Sequence, residues 1–312
     1  MQLLHFFIVL LAIPAALVSA AVPSSKRFDL TKPSFDLFRN KKLKDATVQQ
    51  SFTFDNTNRR LFVAQRRNGA STTSGDLTIT QLDFNGNIKG HMYLKGFGHG
   101  VSIAAQPVGS TTYLWTEVDA NSNGYGTKLA RFKFSSGTTL SKTSSSLTKF
   151  APISGATEYT AAIDPINSRL LVRYHKSGAK HFALYDLGAA TKGNFSKPLA
   201  SFAHPKGLKT KSSTFQGYAP YGRYLYLLYG DSYEAAPKGE LNSELVTVDM
   251  NTGKVVQGPT LTKAGSTLKF REPEGLAVYR TAAGQTRLFM GFASGNSGDR
   301  RSNLFYKNAT IS

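Results

Sequence analysis

Six carboxylates and two histidines stand at the ends of short apolar runs in this sequence: Glu117, Asp119, Glu158, Asp231, Glu272 and Glu274, with His99 and His175. Two carboxylates that flank a bond do general acid and base work, as in glycoside hydrolysis, where their separation selects the stereochemical outcome. A histidine in the same place moves a proton in phosphodiester cleavage. No motif of higher specificity accompanies them: there is no GxSxG elbow, no P-loop and no HExxH pair. The chain has no cysteine, which excludes thiolate metal sites and a cysteine nucleophile. The loop DANSNGYG at positions 119–126 resembles a calcium loop but lacks its terminal bidentate glutamate. No metal and no other cofactor is therefore expected. Acidic loop residues are usually just solvated, so catalysis is the lesser reading. A hydrolase of glycan or phosphodiester bonds would rest on His99, Glu117 and Glu274.

Binding is the better-supported chemistry. Lysine and arginine number 38 against 19 acidic residues, a formal charge of +19 spread along the whole chain. Such a charge draws polyanions, which include anionic glycans, polyphosphate-type polymers, anionic membrane surfaces and, without specificity, nucleic acid. Arginine forks hold phosphate or carboxylate, and aromatic rings stack on sugar faces. Both types recur after the second strand of each repeat described below: Gln65, Arg66 and Arg67; Trp115, Glu117, Asp119 and Tyr125; Arg173, Tyr174 and His175; Tyr229, Asp231 and Tyr233; Asp299, Arg300 and Arg301. Arg271 and Glu272 precede the last repeat on the same side. From this set Arg66, Arg67, Trp115, Glu117, Arg173, His175, Asp231 and Arg271 are taken as the binding rim. Taken singly, Trp115, Tyr174 and Tyr229 also fit strand-core positions.

The elements that must position these residues are strands. Alternating runs of Val, Leu, Phe, Tyr and Thr, punctuated by Gly, Asn and Ser, dominate after position 28. The stretch from Gly98 to Phe134 states the pattern most fully: a GHG turn, VSIAAQPV, a turn, YLWTEV, a polar loop and TKLARFKF. Units of this order begin near positions 50, 99, 158, 216 and 274. A repeat of about 50–60 residues suits four-stranded propeller blades. The expected fold is an all-β, five-bladed β-propeller over residues 28–312, a monomer. The fifth unit lacks an outer strand, which residues 28–46 supply, so that the two chain ends close the ring in one blade. The Ser/Thr-rich stretch Ser135–Lys149 is expected as the exposed outer strand of the second blade. In this register Gln50, His99, Glu158 or Tyr159, Gln216 and Glu274 ring the mouth of the central channel. The third position is open by one residue, because EYTAAID is longer than QSFTFD.

The first twenty residues read as a secretory signal peptide ending in Val18-Ser19-Ala20, and 21–27 as a pro-segment cut at Lys26-Arg27. No later apolar run is long enough to span a bilayer, so a secreted, extracellular protein without membrane insertion is expected. Asn194-Phe-Ser196 and Asn308-Ala-Thr310 are glycosylation sequons, which implies exposure.

QSF near Gln50, Gly98-His99-Gly100 followed by VSI, LWTE at 114–117, GYGTKLARF, FQGY near Gln216 and EPEGL near Glu274 resemble the secreted propellers of the helveticin J and teichoic acid biosynthesis protein C type. Phage receptor-binding propellers belong to the same group. The resemblance spans most of the chain and implies a five-bladed propeller that contacts cell-envelope polymers such as wall teichoic acid. Its members include a bacteriocin and phage adhesins. His99, Trp115, Gln216 and Glu274 are the positions that match the family pattern best. The resemblance implies no enzyme chemistry for particular residues.

Overall fold

A computed structural model describes residues 21–234 and 240–312. Two short pieces come first, β1 (Arg27–Phe28) and β2 (Phe35–Lys41). Blade one follows as β3 (Gln49–Asp55), β4 (Arg60–Arg66), β5 (Leu77–Leu82) and β6 (Ile88–Lys95). Blade two is β7 (Ala104–Val108), β8 (Thr111–Ala120) and β9 (Gly126–Lys133), after which come β10 (Thr139–Ser141) and β11 (Thr148–Phe150). Blade three holds β12 (Thr157–Asp164), β13 (Arg169–Lys176) and β14 (Ala179–Asp186), a one-turn helix α1 (Leu187–Thr191) and β15 (Ala200–Ala203). Blade four is β16 (Phe215–Tyr221), β17 (Tyr224–Tyr229), β18 (Glu244–Asp249) and β19 (Lys254–Leu261). Blade five is β20 (Glu272–Arg280), β21 (Thr286–Ser294) and β22 (Arg301–Lys307), and β23 (Thr310–Ile311) ends the chain.

The chain is nearly all β and makes a five-bladed propeller, as the repeat predicts. The closure also follows the expectation. β2 pairs with β22 as the outer strand of blade five, and β1 pairs with β23. The Ser/Thr-rich stretch divides its expected role. β11 is the outer strand of blade two, whereas β10 runs parallel to β6 and extends blade one. Residues 22–27 do not lie outside the fold. Val22 is buried against blades three and four and exchanges hydrogen bonds with the Asn251 side chain at 2.8 and 2.9 Å. Arg27 donates to the Gln257 side chain at 2.7 Å. The signal-peptide expectation falls on residues 1–20, outside the described residues. Among the described residues no helix is long and apolar enough to cross a membrane.

Strand alternation holds the blades together. Side chains of one strand point to opposite faces, and in a propeller both faces are covered. Leu61 and Val63 of β4 pack against blade five, while their neighbours Phe62 and Ala64 pack against blade two. Leu225 and Leu227 of β17 face blade three, and Tyr226 and Leu228 face blade five. Five apolar clusters result, one in each interface between neighbouring blades, and they hold the ring without disulfides. Buried aspartates add polar ties. Asp164 Oδ2 accepts from the Gly222 backbone of blade four at 2.8 Å, and Asp55 Oδ2 accepts from Thr112 of blade two at 2.5 Å.

Candidate functional site: the axial cavity

The leading ends of the innermost strands meet at a cavity of about 720 Å³ on the propeller axis. Gln50, His99, Gln216 and Glu274, from blades one, two, four and five, all line it. Glycines let the backbones come this close. A Cβ on Gly217 (φ +150°) would lie 2.7 Å from the Gly275 Cα, and one on Gly275 would lie 3.0 Å from the Ser51 Cα. Side chains there would force blades one, four and five apart. The opposite end of the channel is apolar and closed: Phe54, Ile103, Ala162, Ala219 and Leu276 leave only about 10 Å³. The axis is therefore a blind funnel, polar at one end.

The floor of the funnel is rich in hydrogen-bond acceptors. Gln50, Gln216 and Glu274 are only 8, 9 and 6% exposed. The two amides donate to backbone carbonyls, Gln50 to Gln49 at 3.2 Å and Gln216 to Gly230 at 3.0 Å. Their Oε1 atoms and the Glu274 carboxyl have no donor among the described residues. Burial, and then the neighbouring Glu272, raise the Glu274 pKa well above the ordinary carboxyl value. Glu272 lines the same cavity and is also raised by burial, an effect that Arg300 opposes.

His99 is held in place by Glu117. The sequence reading sets Glu117 on the rim, but it is wholly buried beneath the GHG turn. Its Oε1 accepts from the Gly100 N–H at 2.7 Å and its Oε2 from the Gly126 N–H at 2.6 Å. The backbone N–H groups of His99 and Val101 also pull its pKa down, but burial outweighs them and pushes it up to about 7. Glycine is required on both sides. A Cβ on Gly98 would overlap the carboxyl carbon and Oε2 of Glu117, and one on Gly126 would lie 2.5 Å from its Cβ. The clamped turn points the His99 ring into the cavity, stacked on Tyr125 at 5.3 Å and 18°. Burial and the nearby Arg66 lower the His99 pKa, so the ring is neutral at neutral pH.

Arginines supply the positive side. Arg66, Arg67 and Arg300 line the cavity. Arg67 lies 4.3 Å over the Tyr93 ring. Arg300 lies over Phe270 and donates to the Gly295 carbonyl. Among the described residues neither Arg66 nor Arg67 has a carboxylate partner.

Several expected site residues are elsewhere, for definite reasons. Blade three contributes neither Glu158 nor Tyr159. The strand register shifts between Thr157 and Thr160, as it does at Gln50, Gln216 and Glu274, and Glu158 has φ +53°. The Glu158 carboxylate is paired with Lys180, and Tyr159 is buried between blades two and three with its hydroxyl on the Ile153 carbonyl at 2.6 Å. Trp115 is a core residue rather than a rim residue. It is fully buried, stacked on Phe150 at 5.2 Å, and its Nε1 donates to Gln106 at 3.0 Å. Arg271 is also buried; its guanidinium is spent on the Thr262 and Ala264 carbonyls and the Ser243 hydroxyl at 2.8–3.0 Å. Arg173 lies over the Phe215 ring at 4.1 Å, just behind the cavity wall. His175 lies on β13 opposite Thr157, and neither it nor Asp231 lines the cavity. Asn194 is exposed and Asn308 half-buried. Phe215, Thr214, Val101 and Ser297 line the cavity without having been singled out in the sequence. Phe215 directly precedes Gln216 at a strand start, and that adjacency is the signal that could have found it.

Among known proteins, the sequence model of the "Phage 5-bladed beta propeller receptor binding platform domain" matches residues 48–306. A Bacillus subtilis (strain 168) protein named as a major teichoic acid biosynthesis protein C is 28% identical over 290 residues, which is 89% of this chain and 63% of that protein. The tail fiber of Staphylococcus aureus phage P68 shares the fold, with a TM-score of 0.69 at 17% identity, over 88% of this chain and 52% of the fiber. This chain thus spans between about half and two thirds of the length of these relatives. With five blades, the closed ring and a match across its length, the chain belongs to the family of phage five-bladed β-propeller receptor-binding platform domains.

Proposed function

We propose that this protein binds an anionic cell-surface or cell-wall glycopolymer, and that the axial cavity holds one unit of that polymer. The convergence of side chains from four blades at one blind, polar funnel carries this reading. At about 720 Å³ the funnel lies within the ~300–1,000 Å³ of small-molecule sites. Arg66 and Arg67, free of carboxylate partners, would take a phosphate or carboxylate of the polymer. The rings of His99 and Tyr125 offer a sugar a stacking surface. The net charge draws the polymer in and speeds encounter without choosing the unit. The name of the Bacillus subtilis relative, a teichoic acid biosynthesis protein, supports a surface polymer as target. Extracellular action follows from the same reading.

The test is retention of purified protein on an array of polysaccharides and teichoic acids. Salt-sensitive retention with no product supports binding. Glu272 and Glu274, two carboxyls in one cavity with raised pKa values, favour a second reading as a glycan or phosphodiester hydrolase. Chain shortening that is abolished by Glu274→Gln would establish that reading instead.

A further inference from the structure

Residues of both charge signs line the cavity, and this deepens the binding reading on which it rests. Arg66 and Arg67 have no carboxylate partner among the described residues. On the floor, three acceptors are left over: the Gln50 and Gln216 amide oxygens and the Glu274 carboxyl, each on a side chain more than nine-tenths buried. These oxygens are not closed off from the cavity, so a ligand that enters it and brings donors can meet them. The other charged and titratable groups lining the cavity are Arg66, Arg67, His99, Tyr125, Glu272 and Arg300, and among the described residues none of them hydrogen-bonds Glu274. Arg300 offsets Glu272 but not Glu274. A purely anionic ligand would meet the arginines and leave the floor unsatisfied.

We propose that the unit held here is zwitterionic: a phosphodiester lies against Arg66 and Arg67, and a primary ammonium on the same unit sits on the floor and donates to Glu274, Gln50 and Gln216. An ammonium has three donors and no acceptor, which suits a cavity lined by three acceptors that have no donor among the described residues. An ammonium beside Glu274 would lower the carboxyl's raised pKa and draw it into its charged, accepting form.

The test uses short poly(glycerol phosphate) oligomers in three forms: unsubstituted, carrying aminoethyl ethers, and carrying the same ethers N-acetylated. Calorimetric titration of the wild-type protein, which needs no variant, gives the first answer. The aminoethyl oligomer should bind on the order of tenfold more tightly than the acetylated one. Glu274→Gln should erase that difference, so that the aminoethyl and acetylated oligomers bind with equal affinity. Equal affinity of all three forms for the wild type overturns the zwitterion and leaves the polyanion reading intact. Failure of every oligomer to bind overturns both. A preference for the amine that survives Glu274→Gln, in protein shown by urea unfolding to be folded, overturns the assignment of the floor.

Discussion

Adding one methyl group at Gly98 should do disproportionate damage. The new Cβ would overlap the Glu117 carboxyl, which is fully buried and backed by Gly126 on its far side. Over-packing of this kind costs about 1–3 kcal/mol. If the carboxylate moves off, the Gly100 or Gly126 N–H loses a charge-assisted acceptor, worth about 1.5–3 kcal/mol. Gly98→Ala should thus lower stability by about 3–5 kcal/mol. Gly109→Ala, also in blade two, is the control. Gly109 has φ +57° with nothing within 4 Å of its Cβ, so only backbone strain of about 1–2 kcal/mol applies. Urea unfolding measures both as shifts in midpoint at constant slope. The mechanism also predicts non-additivity. Glu117→Ala vacates the space that the methyl needs, so the double variant should be at least ~1 kcal/mol more stable than the sum of the singles. Equal losses at Gly98 and Gly109, or strict additivity with Glu117→Ala, would refute the reasoning.

Three further expectations concern charge. The folded-state pKa of Glu274 lies above its unfolded value of about 4.5, so its stabilising contribution is complete below that pH and is lost as pH rises toward the folded value. Glu274→Gln should therefore gain on the wild type in urea midpoint between pH 5 and 8, and a gain that shrinks instead contradicts the unpaired floor. Asp164→Ala removes the acceptor for Ile166, Asn167 and Gly222 and should cost about 2–4 kcal/mol; a loss within the noise of the unfolding curve would mean that the tie between blades three and four is idle. Polymer affinity should fall with salt, and Arg66→Ala should make the log–log slope shallower by about one; an unchanged slope would show that Arg66 touches no phosphate.

How much of this was legible in the sequence depends on what each residue's neighbours reveal. The blades could be read because apolar alternation and Gly/Asn turns are local signals that recur five times. The closure by β2 followed from a missing strand and an unused segment. Four of the axial residues came from aligning strand starts; the fifth failed because both candidates are engaged elsewhere, Glu158 by Lys180 and Tyr159 in the core between blades two and three, and strand alignment does not report such partners. Trp115 and Arg271 were misplaced on the rim for another reason. In a propeller both faces of a strand are covered, so alternation does not tell a solvent-facing side chain from one between blades. Ser135–Lys149 reads as one strand, yet it feeds two blades, since polar edge strands carry no periodicity that reports their partner.

The claim at the centre of this account is that the axial funnel holds the polymer. Its most direct measurement is the affinity for a surface polymer of the polyol-phosphate type, in the wild type and after reversal of charge at Arg66 and Arg67 together. Among the described residues these arginines have no carboxylate partner, so the variant should remain folded with an unchanged urea midpoint while its affinity drops more than about tenfold. A folded variant that binds as well as the wild type would contradict the account.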